Sequence, residues 1–146
     1  MKLDHDEICA LIPHAGSMCL LEGVESWDQE TILCYAVSHT AASNPLRRPD
    51  GLHVVCGVEY AAQGMALHAQ LSGSGYTPGA GLLASVRDLR LFTDCLDGCG
   101  ERLWIEARRL TGSAHGFIYD FEVRTAGEAL LLSGRAAIMV AEVGGP

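Results

Sequence analysis

The chain has 146 residues, of which 49% are hydrophobic and 19% charged, so it is an ordinary globular sequence of one domain's size and not a disordered one. A domain this long buries roughly two-thirds of its unfolded surface and needs no disulfide or metal to fold. A formal net charge of −8 excludes a generic nucleic-acid binder, and no apolar run reaches the roughly 20 residues of a membrane helix.

A single domain over 1–146 is expected. The acidic start, Met1-Lys2-Leu3-Asp4-His5-Asp6-Glu7, lacks the apolar core of a secretory signal, which predicts a cytoplasmic protein. The opening segment reads as short helix or coil. Residues 20–25 read as a short strand before a Trp27-Asp28-Gln29 turn, and 30–38 (ETILCYAVS) as a second strand. The strongest helical signal covers 53–71 (HVVCGVEYAAQGMALHAQL), started by Pro49-Asp50-Gly51 and stopped by Ser72-Gly73-Ser74-Gly75. Its apolar residues cover more than one stripe, which marks a buried helix. Strands follow at 85–93, 103–110 and 117–125, where Phe117, Tyr119, Phe121 and Val123 alternate with more polar neighbours. The last strand, 128–140, forms a hairpin with its predecessor about Thr125-Ala126-Gly127.

Strands segregated from one central helix give an α+β fold, an antiparallel sheet wrapped over a helix. A helix this apolar exceeds what one small sheet covers, which predicts a second subunit against it.

The six cysteines include no C-x-x-C pair, and Cys9, Cys19, Cys34 and Cys56 lie in largely apolar stretches. Six free structural thiols and no metal site are expected. Cys95 and Cys99 read as part of a turn.

Glu59 is the chemical outlier of the helix, a carboxylate among apolar residues with Gln63 one turn later on the same face. Such a group costs several kcal/mol to bury unless it is partnered or protonated. It is either a catalytic carboxyl or an edge carboxylate held by Gln63. The loop before the helix holds His39, Asn44, Arg47 and Arg48. His39 is either a surface residue or the acid–base partner of Glu59. His14, His53 and His68 are weaker candidates. Tyr60, Met65 and Leu67 are core residues or the lining of an acyl tunnel.

Ile12-Pro13-His14 followed by Met18-Cys19-Leu20-Leu21-Glu22-Gly23-Val24, the helix stretch Glu59-Tyr60-Ala61-Ala62-Gln63, and the tail from Glu128-Ala129-Leu130 resemble the hotdog-fold 3-hydroxyacyl-acyl-carrier-protein dehydratases. With His39 and Asn44-Pro45-Leu46-Arg47-Arg48, the pattern resembles still more the divergent dehydratase-like branch found beside fatty-acid-like and aryl-polyene synthesis genes. The resemblance implies a hotdog fold and dehydration of 3-hydroxyacyl thioesters borne on acyl carrier protein or coenzyme A. No cofactor, metal, nucleic acid or membrane is expected, and the resemblance implies either a homodimer or a heterodimer with a related hotdog subunit. The family glutamate maps to Glu59 and its glutamine to Gln63. Its histidine falls at Pro45, fourteen residues before Glu59, and His-Phe-Pro-Gly-His is absent.

His39 is the nearest upstream replacement, with Asn44 and His14 in support. On this reading His39 is the base and Glu59 the acid, facing each other across a subunit interface. Backbone N–H groups of Val54 and Val55 polarise the carbonyl, and Arg47 and Arg48 steer the acidic carrier. The alternatives are a hotdog acyl thioesterase and a subunit that completes a related dehydratase without catalysing alone.

Overall fold

A computed structural model of the chain describes residues 2–12, 18–73, 81–113 and 115–140. Helix α1 (His5–Leu11) opens with a capping box. The Asp4 carboxylate accepts from the Glu7 N–H at 2.9 Å, and the Glu7 carboxylate accepts from the Asp4 N–H at 3.3 Å. Strands β1 (Gly23–Trp27) and β2 (Thr31–Ala36) come next, then helix α2 (Gly57–Leu71). Strands β3 (Gly81–Leu91), β4 (Leu103–Ser113), β5 (Gly116–Thr125) and β6 (Leu130–Val140) complete the fold.

The six strands form one sheet in the order β1-β2-β4-β5-β6-β3, with antiparallel pairing throughout. Ile32, Cys34 and Ala36 of β2, Leu103, Ile105 and Ala107 of β4, and Phe117, Tyr119, Phe121 and Val123 of β5 are buried. Each set alternates along its strand, so one face of the pleat is inside. Tyr60, Ala61, Met65, Leu67 and Ala69 of α2 join the same core. This is the α+β arrangement expected, with the antiparallel sheet around one helix.

Close packing of helix on sheet depends on glycine. A Cβ at Gly57 would collide with Leu132 of β6, whereas one at Gly64 would make ordinary contact with Cys34 Sγ at 3.7 Å. The helix exposes a narrow strip where Glu59, Ala62 and Ala66 are only partly buried. Of the residues predicted as helix, Val54–Cys56 form a 3-10 turn capped by the His53 side chain. No helix among the described residues is long and apolar enough to cross a membrane.

The expectation of six free thiols fails at one pair. Cys9 and Cys19 form a disulfide, with Cα atoms 5.9 Å apart. The nine residues between the two cysteines hide that proximity in the sequence. Cys34, Cys56, Cys95 and Cys99 are free. Burial pushes the Cys34 thiol up to about 12, so it behaves as an apolar core residue.

Candidate functional site

Glu59 stands on the first turn of α2, partly buried on the strip that the sheet leaves open. Gln63, one turn on and 2% exposed, braces it. The Gln63 side-chain oxygen accepts from the Leu20 N–H at 2.9 Å. Its amide nitrogen donates to the Met18 carbonyl at 2.8 Å and reaches the Glu59 carboxylate at 3.4 Å. Gln63 thus spends its strong bonds on the 18–20 segment and presents its remaining N–H to Glu59. That orients the carboxyl.

A second network lies behind this one. The Asn44 amide donates to the Tyr60 hydroxyl at 3.0 Å and to the Ser38 carbonyl at 2.9 Å. The Ser38 hydroxyl donates to the Leu20 carbonyl at 2.7 Å, so across its 2.8 Å contact with Tyr60 it is the acceptor. The Asn44 side-chain oxygen accepts from the Leu46 N–H at 2.9 Å. Loop, helix and the 18–20 segment are tied through one chain of hydrogen bonds. Burial pushes the Tyr60 hydroxyl up, against the pull of Ser38 and Asn44, which keeps it a donor. Sequence reasoning missed Ser38 and assigned Tyr60 to core or tunnel. Tyr60, Met65 and Leu67 are all wholly buried, which makes them core.

His39 is held by another part of its own chain. It is completely buried within its own chain, and its Nε2 donates to the Gly100 carbonyl at 2.7 Å. Its Nδ1 has no hydrogen-bond partner. Burial pushes its pKa down, opposed by the Gly100 carbonyl and by Asp97. The expectation sets His39 opposite Glu59 across a subunit interface; within one chain the ring is enclosed and turned to Gly100. The short 3-10 turn after β2 folds the ring inward, something that distance along the chain does not reveal.

The backbone donors assigned to a substrate carbonyl are also occupied. The Val54 N–H donates to the Asp94 carbonyl at 2.9 Å, and the Val55 N–H to His53 Nδ1 at 3.1 Å. A carbonyl would have to displace these partners, so the oxyanion role expected of Val54 and Val55 is corrected to structural donors.

Arg47 clamps the loop. Its guanidinium donates to the His39 carbonyl at 3.0 Å, the Ala41 carbonyl at 3.2 Å and Asp97 at 3.3 Å. The Leu52 N–H and then Arg47 hold the Asp97 carboxyl below its usual range. Arg48 is exposed. His68 is a satisfied core histidine. Its Nε2 donates to the Asp28 carbonyl at 2.8 Å, so its Nδ1 accepts from the Tyr119 hydroxyl at 2.8 Å. His14 lies outside the described residues.

One helix cradled by a six-stranded antiparallel sheet, with a carboxylate on the helix's opening turn, defines a hotdog protein. Solved structures share that fold. One titled the dehydratase heterocomplex ApeI:P from Xenorhabdus doucetiae has a TM-score of 0.76 and 22% identity, covering 92% of this chain and 91% of that one. A mutant thioesterase from Pseudomonas aeruginosa has a TM-score of 0.69 and 16% identity over 96% of this chain and 95% of its own. Zebra fish thioesterase superfamily member 2 has a TM-score of 0.67 and 15% identity over 94% and 95%. Among curated proteins no sequence matches significantly. The chain belongs to the ApeP-like family: that family's model, described as the ApeP dehydratase, matches residues 6–143.

Proposed function

We propose that this chain is a subunit of a dehydratase that converts 3-hydroxyacyl thioesters, carried on acyl carrier protein, into trans-2-enoyl thioesters. The observation that carries this reading is Glu59, partly exposed on the open strip of α2 and held by Gln63 at 3.4 Å. Elimination removes a proton from the carbon beside the thioester carbonyl and a hydroxyl from the next carbon. Glu59 passes a proton to the departing hydroxyl, which leaves as water, while Gln63 fixes the direction in which the carboxyl points. The family match to a dehydratase supports this chemistry over other uses of the fold.

The base is a second group. With His39 enclosed in its own chain, the base comes from His14 or from a related hotdog subunit. A heterodimer fits the latter case, and the ApeI:P heterocomplex has the same fold. The acidic carrier approaches near Arg48, the exposed member of the arginine pair, with Arg47 shaping the loop beneath it.

The test incubates the purified protein with a 3-hydroxyacyl-acyl-carrier-protein, alone and with a hotdog dehydratase subunit from the same organism. Enoyl absorbance and free thiol are followed together. Glu59→Ala is expected to lose about 100-fold or more of the enoyl signal at an unchanged melting temperature. His14→Ala and His39→Ala report which histidine of this chain matters. Thiol release without enoyl formation would instead make the chain a thioesterase, with Glu59 activating water. Full dehydratase activity in Glu59→Ala would reject the assignment.

A further inference from the structure

We propose that Cys9, Cys19 and His5 form a thiol–disulfide exchange site for a small thiol of the glutathione class. The site does not depend on the dehydratase reading, and its test needs no measurement of catalysis.

The capping box of α1 sets the phase of the helix, and His5 and Cys9 fall one turn apart on the same face. His5 Nδ1 lies 2.8 Å from the Leu21 carbonyl. A carbonyl only accepts, so Nδ1 carries the hydrogen, and in the neutral ring Nε2 keeps its lone pair. That Nε2 lies 3.4 Å from Cys9 Sγ. When the pair is reduced, His5 is therefore placed to take the Cys9 thiol proton and leave a thiolate beside an imidazolium. Leu21, which fixes the tautomer, is itself wholly buried, so the ring is held from behind by the core.

The two sulfurs differ in access. Cys9 is partly exposed on α1, while Cys19 is only 3% exposed. An incoming thiolate therefore reaches Cys9. It bonds to the Cys9 sulfur, the Cys9–Cys19 bond breaks, and Cys19 departs with the electron pair and takes up a proton. A second small thiol attacks the glutathione sulfur of this mixed disulfide and releases Cys9. The net reaction consumes two glutathiones and yields one glutathione disulfide and two protein thiols. Closure is the reverse, with the His5-activated Cys9 thiolate attacking glutathione disulfide and Cys19 then resolving the adduct.

The disulfide ties α1 to a particular place. Cys19 sits between Met18 and Leu20, the two residues whose backbone Gln63 holds, and Gln63 in turn reaches Glu59. Exchange at Cys9 thus adds or removes a covalent tie on the segment that braces the candidate carboxyl.

The three ligand atoms of His5, Cys9 and Cys19 lie within 4.8 Å of one another, so Zn²⁺ is the competing occupant of the reduced form. The experiment equilibrates the full chain in buffers of graded glutathione to glutathione disulfide ratio, quenches with acid, alkylates, and maps thiols by peptide mass. Cys9 and Cys19 are expected to open and close together, with Cys34 unmodified throughout. Cys19→Ser should trap glutathione on Cys9, whereas Cys9→Ser should leave Cys19 without adduct. His5→Gln should slow trapping in the Cys19→Ser background by about tenfold, at a matched circular dichroism spectrum. No interconversion at any ratio, an adduct on Cys19 instead of Cys9, or an unchanged rate in His5→Gln would overturn the proposal. So would a reduced protein whose Cys9 and Cys19 are shielded from alkylation by added Zn²⁺ and never pair under glutathione disulfide.

Discussion

Glu59 and Tyr60 are neighbours on α2 and serve opposite ends. The helical step of about 100° per residue turns Glu59 toward the open strip and Tyr60 into the core. The Tyr60 hydroxyl accepts from Asn44 and donates to Ser38, so its removal strands a buried donor. Tyr60→Phe is expected to cost about 1–3 kcal/mol in chemical denaturation. Glu59→Gln, which keeps size and hydrogen-bonding capacity beside Gln63, should leave stability within about 0.5 kcal/mol of the parent. A similar loss in both variants would mean that the strip at Glu59 is core.

His39 and His68 give the molecule a pH signature. Burial pushes both pKa values down, so the unfolded chain takes up these protons first as pH falls through about 6.5. Their contribution is complete above that value and declines below it, toward the lowered folded-state pKa values. The thermal midpoint should fall between about pH 7 and pH 5, less steeply in His68→Gln than in the parent. An equal slope in the two proteins would show that His68 does not carry the dependence.

Among the elements, α2 against the sheet is where small volumes matter most. Gly57→Ala places a Cβ into Leu132 and should destabilise by about 1–3 kcal/mol. Gly64→Ala meets Cys34 only at ordinary contact distance, and the helix gains up to about 1 kcal/mol of propensity. It should be neutral or stabilising by differential scanning calorimetry, and the opposite ranking would contradict this packing.

Elements with clear alternation were legible from sequence. Strand β5 buries Phe117, Tyr119, Phe121 and Val123 as their spacing predicts, and the β5–β6 hairpin turns about Thr125, whose carbonyl accepts from the Glu128 N–H at 2.9 Å. The first strand was misplaced for a physical reason. Leu20 and Leu21 are as apolar as a strand interior, yet the Leu20 N–H goes to Gln63 and its carbonyl to Ser38. With side chains filling the ladder positions, pairing begins only at Gly23. Strand β3 departs from simple alternation because its pairing with β6 slips between Arg87 and Arg90, around Asp88 at φ 53°.

At the scale of the whole molecule, what could be read was what the helix carries. Glu59 and Gln63 share a face by helical spacing alone, and their 3.4 Å approach follows from it. Histidine placement, thiol pairing and donor occupancy are long-range facts. His39 meets Gly100 across 61 residues, Val54 meets Asp94, and Cys9 meets Cys19 at a separation of 10. No local pattern encodes those meetings.

The central claim, that Glu59 is this chain's contribution to a dehydratase site, is tested most directly by one comparison. The conversion of a 3-hydroxyacyl-acyl-carrier-protein to the enoyl thioester is measured for the parent and for Glu59→Ala, each assembled with the same hotdog partner subunit. A fall of about 100-fold or more, with assembly and melting temperature unchanged, is the predicted result. Equal rates for the two proteins would contradict it.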